Sequence, residues 1–200
     1  MRTKISYYFH IFAPADRSKI TAMDEIRILD KTFRKLISEE EIKKRISELA
    51  SQINIDLAGT DAVFIAVLNG AFIFAADIFR QIDFPARISF VKLASYSGTG
   101  STGAVNELIG WNEEVSGRTV VVIEDIVDTG CTVKQIVDEL LVRKAREVRI
   151  AALFFKPSAC LKSIKIDYTG FEIPNEFVVG YGLDYDGYGR NLSSVYALIT

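Results

Sequence analysis

Histidine is almost absent from this chain of 200 residues, which contains only His10. A catalytic triad built on histidine and a metal site with several histidine ligands are therefore excluded from the main part of the chain. Any proton transfer must fall to Asp, Glu, Lys or Tyr side chains. Cysteine is also scarce, because the chain holds only Cys131 and Cys160. Two cysteines are too few for a disulfide scaffold and are typical of a reducing cytosol, so we predict a cytoplasmic protein.

The chain also lacks long apolar runs and any large excess of charge. No apolar stretch approaches the length that a membrane span requires. The formal net charge of −2 gives no indication of nucleic-acid binding. A length of 200 residues is enough for one domain with a sizeable core. We therefore expect one compact domain that binds neither a membrane nor a nucleic acid.

The beginning of the chain differs in composition from the rest. Basic residues precede a short aromatic patch at positions 7–12. A signal peptide needs a longer continuous apolar region, and a histidine and a proline interrupt this one. The regular fold pattern starts just after Met23, the next methionine. We therefore predict that residues 1–22 form an extension outside the fold and that residues 23–200 form the domain.

The remainder alternates between two hydrophobic periodicities. Ser38 followed three residues later by Glu41 is a capping-box pattern, which predicts the start of a helix. Strands that alternate with helices predict an α/β fold with a mostly parallel central sheet and helices on both faces. The predicted strands are 26–29, 63–68, 88–93, 120–123 and 148–155, and the predicted helical segments are 38–53, 71–79 and 133–141.

The most informative segment is 120–132, which reads VVVIEDIVDTGCT. Four branched apolar residues predict a buried parallel strand, with Glu124 and Asp125 at its end. A polar loop and an apolar-periodic helix follow. Backbone N–H groups and hydroxyls of such a loop can hold a phosphate at the helix N-terminus, whereas the acidic pair would repel it and suits sugar hydroxyls or a metal. A phosphorylated sugar fits both halves. The loop residues are Asp128, Thr129, Gly130, Cys131 and Thr132.

This segment resembles the signature of the phosphoribosyltransferases, in which two acids precede Asp-Thr/Ser-Gly-x-Thr. The resemblance implies a type I fold with a small hood over the base site. It implies that Glu124 and Asp125 meet the ribose hydroxyls of phosphoribosyl pyrophosphate and that loop 128–132 wraps its 5′-phosphate. It also implies that Asp128 is the general base beside N7 of a purine. Without the resemblance, a parallel strand followed by a glycine-containing turn remains the ordinary alternative.

Two further segments match the branch of the family that uses 6-oxopurines. Leu68, Asn69 and Gly70 match a loop that contacts pyrophosphate and often has a strained or cis peptide, although Asn69 replaces the usual lysine. From the tripeptide alone an ordinary strand-to-helix turn is equally plausible. Ser95 and Tyr96 open a Gly/Ser/Thr-rich loop and match a lid over pyrophosphate, with a plain hairpin connection as the alternative.

The last third of the chain supplies matches for the base and for the leaving group. Lys156 matches a lysine that donates to O6, which suits a donor-only ammonium; a surface lysine is the ordinary alternative. Phe177 and Val178 match the purine clamp, with Ile126 as a second apolar wall. Asp184 matches a carboxylate of the base site near a second metal, and Arg190 matches the arginine that binds pyrophosphate. Without the resemblance, residues 174–192 read as a turn-rich surface. The implied metal ligands are Glu124, Asp125 and Asp184.

The resemblance, which runs from about Ile26 to Ile199, implies an enzyme of purine salvage. It would transfer the phosphoribosyl group to hypoxanthine or guanine and release pyrophosphate, with Mg²⁺ as cofactor and a homodimer or homotetramer as its assembly. A phosphoribosyltransferase-like regulator, a sugar-phosphate-binding structural subunit, and a xanthine-preferring or adenine-type transferase remain alternatives. The net charge of −2 gives no support to a nucleic-acid-binding regulator.

A shortened protein that begins at Met23 tests the predicted domain boundary. Its melting temperature and its turnover should equal those of the full chain, because residues 1–22 carry none of the matched motifs. Thermal unfolding and a product assay check this on both proteins side by side. A large fall in either quantity would show that the first segment packs on the core.

Overall fold

The computed structural model describes residues 25–93, 107–109, 112–160 and 164–199. These residues form two β-sheets and three helices. The strands are β1 Glu25–Ile28, β2 Lys31–Ile37, β3 Val63–Val67, β4 Arg87–Leu93, β5 Glu107–Ile109, β6 Thr119–Val127, β7 Glu147–Phe155, β8 Tyr168–Glu172, β9 Val178–Val179 and β10 Val195–Leu198. The helices are α1 Glu39–Leu57, α2 Phe72–Phe79 and α3 Cys131–Val142.

The main sheet has six strands in the order β5-β4-β3-β6-β7-β8. Five of them, β3, β4, β6, β7 and β8, run parallel, and only β5 pairs antiparallel. Strand β3 is buried along its whole length, as expected of a central parallel strand covered on both faces. The predicted α/β class with a mostly parallel sheet is therefore confirmed.

Helices cover both faces of the main sheet. Alternate residues of β3 point to opposite faces. Phe64 and Ala66 pack in a core shared with α1 and α2, whereas Val63 and Ile65 pack against Ile136 and other residues of α3. Burial of these apolar side chains, at roughly 25 cal/mol per Å² removed from water, is the main stabilising contribution to the fold.

Helix α1 begins where the capping pattern predicts. The Ser38 side chain accepts a hydrogen bond from the backbone N–H of Glu41, and the Glu41 carboxylate accepts one from the N–H of Ser38. The helix then buries one stripe of side chains at helical spacing. That stripe consists of Ile42, Ile46, Leu49, Ala50, Ile53 and Leu57.

A second sheet forms the hood. It has four antiparallel strands in the order β1-β2-β10-β9, and it joins the first described residues to the last ones. One face contributes Val178, Val195 and Ala197 to the main core. The other face has a core of its own around Phe33 and Tyr196. The predicted edge strand at 26–29 therefore exists, but it lies at the edge of the hood and not of the main sheet.

The structure differs from the sequence-based expectations at several elements. Strand β6 does not end before the acidic pair but continues through it to Val127, so Glu124 and Asp125 lie inside the strand. Leu141 is 54% exposed although it fits the predicted apolar stripe of α3. Strands β2, β5, β8, β9 and β10 are not among the predicted elements. In the described part of the chain, no helix is both long and apolar enough to cross a lipid bilayer.

The burial pattern of α1 leads to a paired stability prediction. Leu49 is 2% exposed and Ile55 is 79% exposed on the same helix. Leu49→Ala should lower the free energy of unfolding by about 2–5 kcal/mol, because a cavity remains in the core. Ile55→Ala should change it by no more than about 0.5 kcal/mol. Urea denaturation of both variants checks this, and equal losses would contradict the assigned helix face.

Candidate active site

The predicted site residues converge at one edge of the main sheet. Residues 68–70 follow β3, Asp128 follows β6, and Lys156 follows β7. Since these three strands are parallel neighbours, their carboxyl ends lie side by side. Ligands of open α/β sheets bind at this edge.

The two acids of β6 have different surroundings. Successive side chains of a strand point to opposite faces, so the carboxylates of Glu124 and Asp125 diverge. Asp125 lies directly against Gly70: a methyl group on Gly70 would come within 1.4 Å of the Asp125 Oδ2 atom. Glu124 is only 7% exposed, and its Oε2 atom has no hydrogen-bond partner among the described residues. This buried, unpaired oxygen is free to accept from a ligand hydroxyl.

Both acids resist ionisation. Burial raises the pKa of Glu124 well above its usual value, and the neighbouring Asp125 charge raises it further. Burial also raises the pKa of Asp125 to about 6, although a backbone hydrogen bond from Ile126 and the charge of Arg190 oppose the rise. A cation or a donor-rich ligand at this place would relieve the cost of burying two negative charges.

The loop after β6 is shaped to bind an anion. Gly130 has φ of +79°, a left-handed conformation that favours glycine, and α3 begins at the next residue. Gly130, the N-cap residue of α3, has no side chain to cap the helix, and in the first turn the N–H of Cys131 donates to the Thr129 hydroxyl oxygen at 3.4 Å. The N-terminus of a helix presents further backbone N–H groups that can bind an anion. Behind the loop, Cys160 and Ile164 pack so closely on Gly130 that a methyl group there would lie 2.5 Å from Ile164. Thr129, Cys131 and Thr132 complete this turn.

Asp128 and Lys156 form an ion pair beside that loop. The Lys156 Nζ atom lies 3.0 Å from Asp128 Oδ2. The lysine side chain is 8% exposed and the aspartate side chain is 45% exposed. Lys156 is therefore not a solvated surface lysine, which argues against the ordinary interpretation of this residue. An ammonium group has three N–H donors, so two of them remain for other acceptors.

The hood supplies an aromatic surface. Phe177 is 46% exposed and lies with its ring centroid 6.4 Å from Phe33 and 6.0 Å from Tyr185. Val178 is buried in β9. An aromatic ring held by two others but open on one side is suited to stacking against a planar ligand. Ile126 is half-buried at the end of β6 and packs on the main core.

An open groove of about 520 Å³ lies next to Phe177. The described residues that line it belong to the hood and its flanks, and they include neither Ile126 nor Lys156. This groove therefore contains Phe177 but not Ile126, the other predicted apolar wall of the base site. The lining residues are Arg34, Asn175, Glu176, Phe177, Leu198 and Ile199.

Asp184 and Arg190 lie together in the segment that follows β9. Their side chains form an ion pair of 2.6 Å, and Arg190 also donates to the carbonyl of Gly182 at 2.6 Å. The other oxygen of Asp184 accepts from the backbone N–H of Gly187. The charges of Asp184 and Arg190 both act on Asp125, which brings these residues into one electrostatic cluster.

The loop 68–70 lies between this cluster and β6. The peptide bond between Leu68 and Asn69 is cis. Gly182, at φ of +100°, approaches so closely that a methyl group on it would come within 2.1 Å of the Gly70 carbonyl oxygen. Glycine at both positions therefore allows β6, this loop and the later segment to meet. These close contacts are more than an ordinary strand-to-helix turn requires.

A divalent cation fits this cluster only with help from a ligand. Among the described residues, no three acidic, cysteine or histidine side chains are close enough to hold a metal ion by themselves. The carboxylates of Glu124, Asp125 and Asp184 are oxygen donors of the type that Mg²⁺ prefers. Magnesium usually binds one or two carboxylates together with phosphate oxygens. The raised pKa of Asp125 is the expected sign of a buried negative charge that nearby positive charges do not fully compensate.

Several features of the site lie outside what the sequence predicted. Tyr181, Asp77 and Gly182 connect the later segment to α2, and Phe33 with Tyr185 holds Phe177. No local pattern marks these contacts, because each joins residues far apart in the chain. Ser95 and Tyr96 lie outside the described residues; strands β4 and β5, antiparallel to each other, flank their loop.

The raised pKa of Asp125 leads to a prediction about stability and pH. Asp125 makes a contribution that lowers the free energy of unfolding as pH rises from about 3.8 to about 6, because the unfolded side chain ionises before the folded one. Asp125→Asn keeps the acceptor for the N–H of Ile126 and removes the charge. It should therefore raise the free energy of unfolding by about 1–3 kcal/mol at pH 7.5 and by much less at pH 4.

The exposed Asp138, which pairs with Lys134 on α3, provides the matched control. Asp138→Asn should change the free energy of unfolding by less than about 1 kcal/mol at either pH. Denaturant titrations at both pH values check the pair. An effect of Asp125→Asn that is equal at pH 4 and pH 7.5 would contradict the account.

Comparison with known proteins agrees with this geometry. The model of the phosphoribosyl transferase domain matches residues 35–186. Hypoxanthine-guanine phosphoribosyltransferase of Mycobacterium tuberculosis is 41% identical over 167 residues, which cover 80% of this chain and 83% of that protein. The enzyme of the same name from Bacillus subtilis is 42% identical over 158 residues, covering 78% of this chain and 88% of its own length.

Solved structures show the same fold. The crystal structure of a hypoxanthine phosphoribosyltransferase from Staphylococcus aureus has a TM-score of 0.78 and 37% identity, covering 83% of this chain and 91% of that chain. A hypoxanthine-guanine phosphoribosyltransferase from Bacillus anthracis, with a HEPES molecule in the active site, has a TM-score of 0.78 and 36% identity, covering 88% and 99%. The chain therefore belongs to the phosphoribosyltransferase family, in the group of the hypoxanthine-guanine phosphoribosyltransferases.

Proposed function

We propose that the protein transfers the 5-phosphoribosyl group of phosphoribosyl pyrophosphate to N9 of hypoxanthine or guanine, with release of pyrophosphate. The observation that carries the proposal is the ion pair of the buried Lys156 with Asp128, 3.0 Å apart at the edge of the phosphate loop. One loop can then serve the sugar phosphate and the base at once. The product is the 5′-mononucleotide, IMP or GMP.

The phosphoribosyl group binds to β6 and the loop that follows. The N–H groups at the start of α3 and the hydroxyls of Thr129 and Thr132 hold the 5′-phosphate. Glu124 and Asp125 accept from the ribose hydroxyls, and Mg²⁺ on those acids and on Asp184 would neutralise charge on the pyrophosphate. The unpaired Oε2 atom of Glu124 and the raised pKa of Asp125 support this assignment.

Base selection rests on the hood and on Lys156. The exposed face of Phe177 stacks on the purine, the backbone at Val178 meets its edge, and Ile126 covers the other side. Lys156 donates to the keto oxygen O6. Because an ammonium cannot accept a hydrogen bond, it disfavours the amino group that adenine carries at this position. A lysine already held by Asp128 loses little further side-chain entropy when the base binds.

Asp128 receives the proton that the base loses. Departure of pyrophosphate leaves positive charge on the ribosyl carbon, and the ring nitrogen N9 attacks this carbon while the purine becomes deprotonated. A carboxylate beside N7 both accepts a proton and stabilises positive charge on the base. Its pairing with Lys156 orients the carboxylate, since one of its oxygens is fixed by the ammonium.

The leaving group lies on the opposite side of the sugar. Arg190 binds pyrophosphate with its guanidinium group, and the backbone at residues 68–70 adds N–H donors although Asn69 supplies no charge. Ser95 and Tyr96 close over it as a lid that excludes water. The ion pair of Arg190 with Asp184 keeps the guanidinium within the cluster before the substrate arrives.

The wider setting of the protein follows from the same proposal. The protein binds phosphoribosyl pyrophosphate and 6-oxopurine bases and acts in purine salvage. Its compartment is the cytoplasm. It assembles as a homodimer or a homotetramer.

A product assay with four purines tests the proposal. Phosphoribosyl pyrophosphate and Mg²⁺ are supplied with hypoxanthine, guanine, xanthine or adenine, and mononucleotides are separated by chromatography. Rapid formation of IMP and GMP with no AMP is the expected result. Equal rates with adenine would refute the role of Lys156. A strong preference for xanthine would indicate a xanthine-preferring transferase of the same family. If no base gave a product, the protein would instead be a regulator that binds nucleotides without making them.

Asp128→Asn should lower turnover by about 10²–10⁴-fold while the affinity for phosphoribosyl pyrophosphate changes far less. Asparagine keeps the size of the side chain and an acceptor for Lys156 but cannot take up the proton. Steady-state kinetics and direct binding measurements separate the two effects. Unchanged turnover with a collapse of substrate binding would instead make Asp128 a residue that only shapes the loop.

A further inference from the structure

Tyr181 is a residue of the hood segment whose side chain lies in the main core. It is 4% exposed, and its φ of +48° places it in the left-handed region, which is uncommon for a residue with a large side chain. Its hydroxyl donates a hydrogen bond to the carboxylate of Asp77 on α2. The bond thus joins two parts of the chain that are 104 positions apart.

The backbone around Tyr181 holds the segment that carries Asp184 and Arg190. The N–H of Tyr181 donates to the carbonyl of Leu192 at 2.9 Å, and the N–H of Gly182 donates to the carbonyl of Arg190 at 3.0 Å. These bonds close residues 181–192 into one unit. An anchor on Tyr181 therefore fixes the position of the Asp184–Arg190 ion pair as well.

On the other side, Asp77 belongs to the helix that begins next to the loop 68–70. Gly182 packs directly on the carbonyl of Gly70, and Gly70 packs directly on Asp125. These contacts form a closed ring. It runs from Gly70 along α2 to Asp77, crosses to Tyr181 and returns through Gly182 to Gly70. The hydrogen bond between the Tyr181 hydroxyl and the Asp77 carboxylate closes this ring.

We propose that Tyr181 and Asp77 are positioning residues that hold Asp184 and Arg190 against Asp125 and Gly70, and thereby set the affinity for the diphosphate half of phosphoribosyl pyrophosphate. The inference rests on the proposed function and extends it to residues that touch no substrate. Asp128, Lys156 and Phe177 lie outside the ring. Binding of a purine mononucleotide, which has no diphosphate, should therefore depend little on this bond.

Tyr168 provides a matched control. It is 1% exposed, and its hydroxyl bonds to the Asp56 carboxylate at 3.1 Å, in the same chemistry as the bond between Tyr181 and Asp77. However, it begins β8 and so lies at the end of the sheet opposite to Lys156. Tyr168→Phe therefore measures how the loss of a buried tyrosine–carboxylate hydrogen bond changes the melting temperature and the ligand affinities when the bond lies at the other end of the sheet.

The test measures two dissociation constants by calorimetry, for Mg²⁺-phosphoribosyl pyrophosphate and for GMP, together with the melting temperature. Tyr181→Phe should weaken phosphoribosyl pyrophosphate binding about tenfold, the size expected for one lost charge-assisted hydrogen bond. Its GMP affinity should stay within about twofold. Tyr168→Phe should lower the melting temperature and leave both affinities within about twofold.

Substitutions of Asp77 provide an independent arm if Tyr181→Phe fails to fold. Asp77→Asn keeps an acceptor for the tyrosine hydroxyl and should retain the parent affinity for phosphoribosyl pyrophosphate within about threefold. Asp77→Ala should behave like Tyr181→Phe. Arg80→Ala should leave both affinities unchanged, which separates the hydrogen bond from the ion pair that Arg80 forms with Asp77.

The outcomes separate the two proposals. If Tyr181→Phe weakened the binding of both ligands equally, or changed neither affinity, the positioning role would be overturned. The proposed function would still stand in that case, provided that the parent protein binds both ligands. A parent protein that binds neither ligand would overturn the proposed function and this inference together. Weakening by Asp77→Asn as large as that by Asp77→Ala would show that the charge, and not the hydrogen bond, matters.

Discussion

The contact between the Asp125 carboxylate and Gly70 is the constraint on which the site depends. Any side chain at position 70 would overlap that carboxylate, since even a methyl group would lie 1.4 Å from it. The contact brings the acidic strand β6 against the loop after β3, and Gly182 then packs on the same loop from the hood. Three distant parts of the chain thereby surround one partly buried carboxylate whose pKa rises to about 6. In the proposed function, cationic partners of the substrate complex would offset this electrostatic cost.

The molecule divides the work between two sheets. In the proposed function, the main sheet would bind the sugar phosphate through the end of β6 and the N-terminus of α3, and the hood would present Phe177 and Arg190. Lys156 belongs to the main sheet although it is proposed to serve the base, so the same group of strand ends would align base and sugar. The hood would add the stacking surface and the diphosphate site. Because both sheets are needed, the junction between the main sheet and the hood must be held in place as firmly as each sheet itself.

Much of this was readable from the sequence, and the reasons are physical. The capping box at Ser38, the buried runs of β3 and β7 and the order of strand, acids, glycine loop and helix are local patterns. They predicted the fold class and the succession of strand, loop and helix at residues 120–132, whereas phosphate binding by that loop stays a prediction. Strand β6 was predicted too short because two acids inside a strand end resemble the start of a loop. The hood strands β2, β9 and β10 and the bond of Tyr181 were missed, since they depend on pairings between residues far apart that no local periodicity encodes.

A crystal structure with bound GMP tests the central claim most directly, namely that the neighbouring ends of β6 and β7 together serve both the base and the sugar phosphate. The account predicts the 5′-phosphate on loop 128–132, the guanine ring stacked on Phe177, and Lys156 Nζ within hydrogen-bond distance of O6 while Asp128 faces N7. GMP bound with its phosphate away from that loop, or with Lys156 still engaged by Asp128 alone and O6 unpaired, would contradict it.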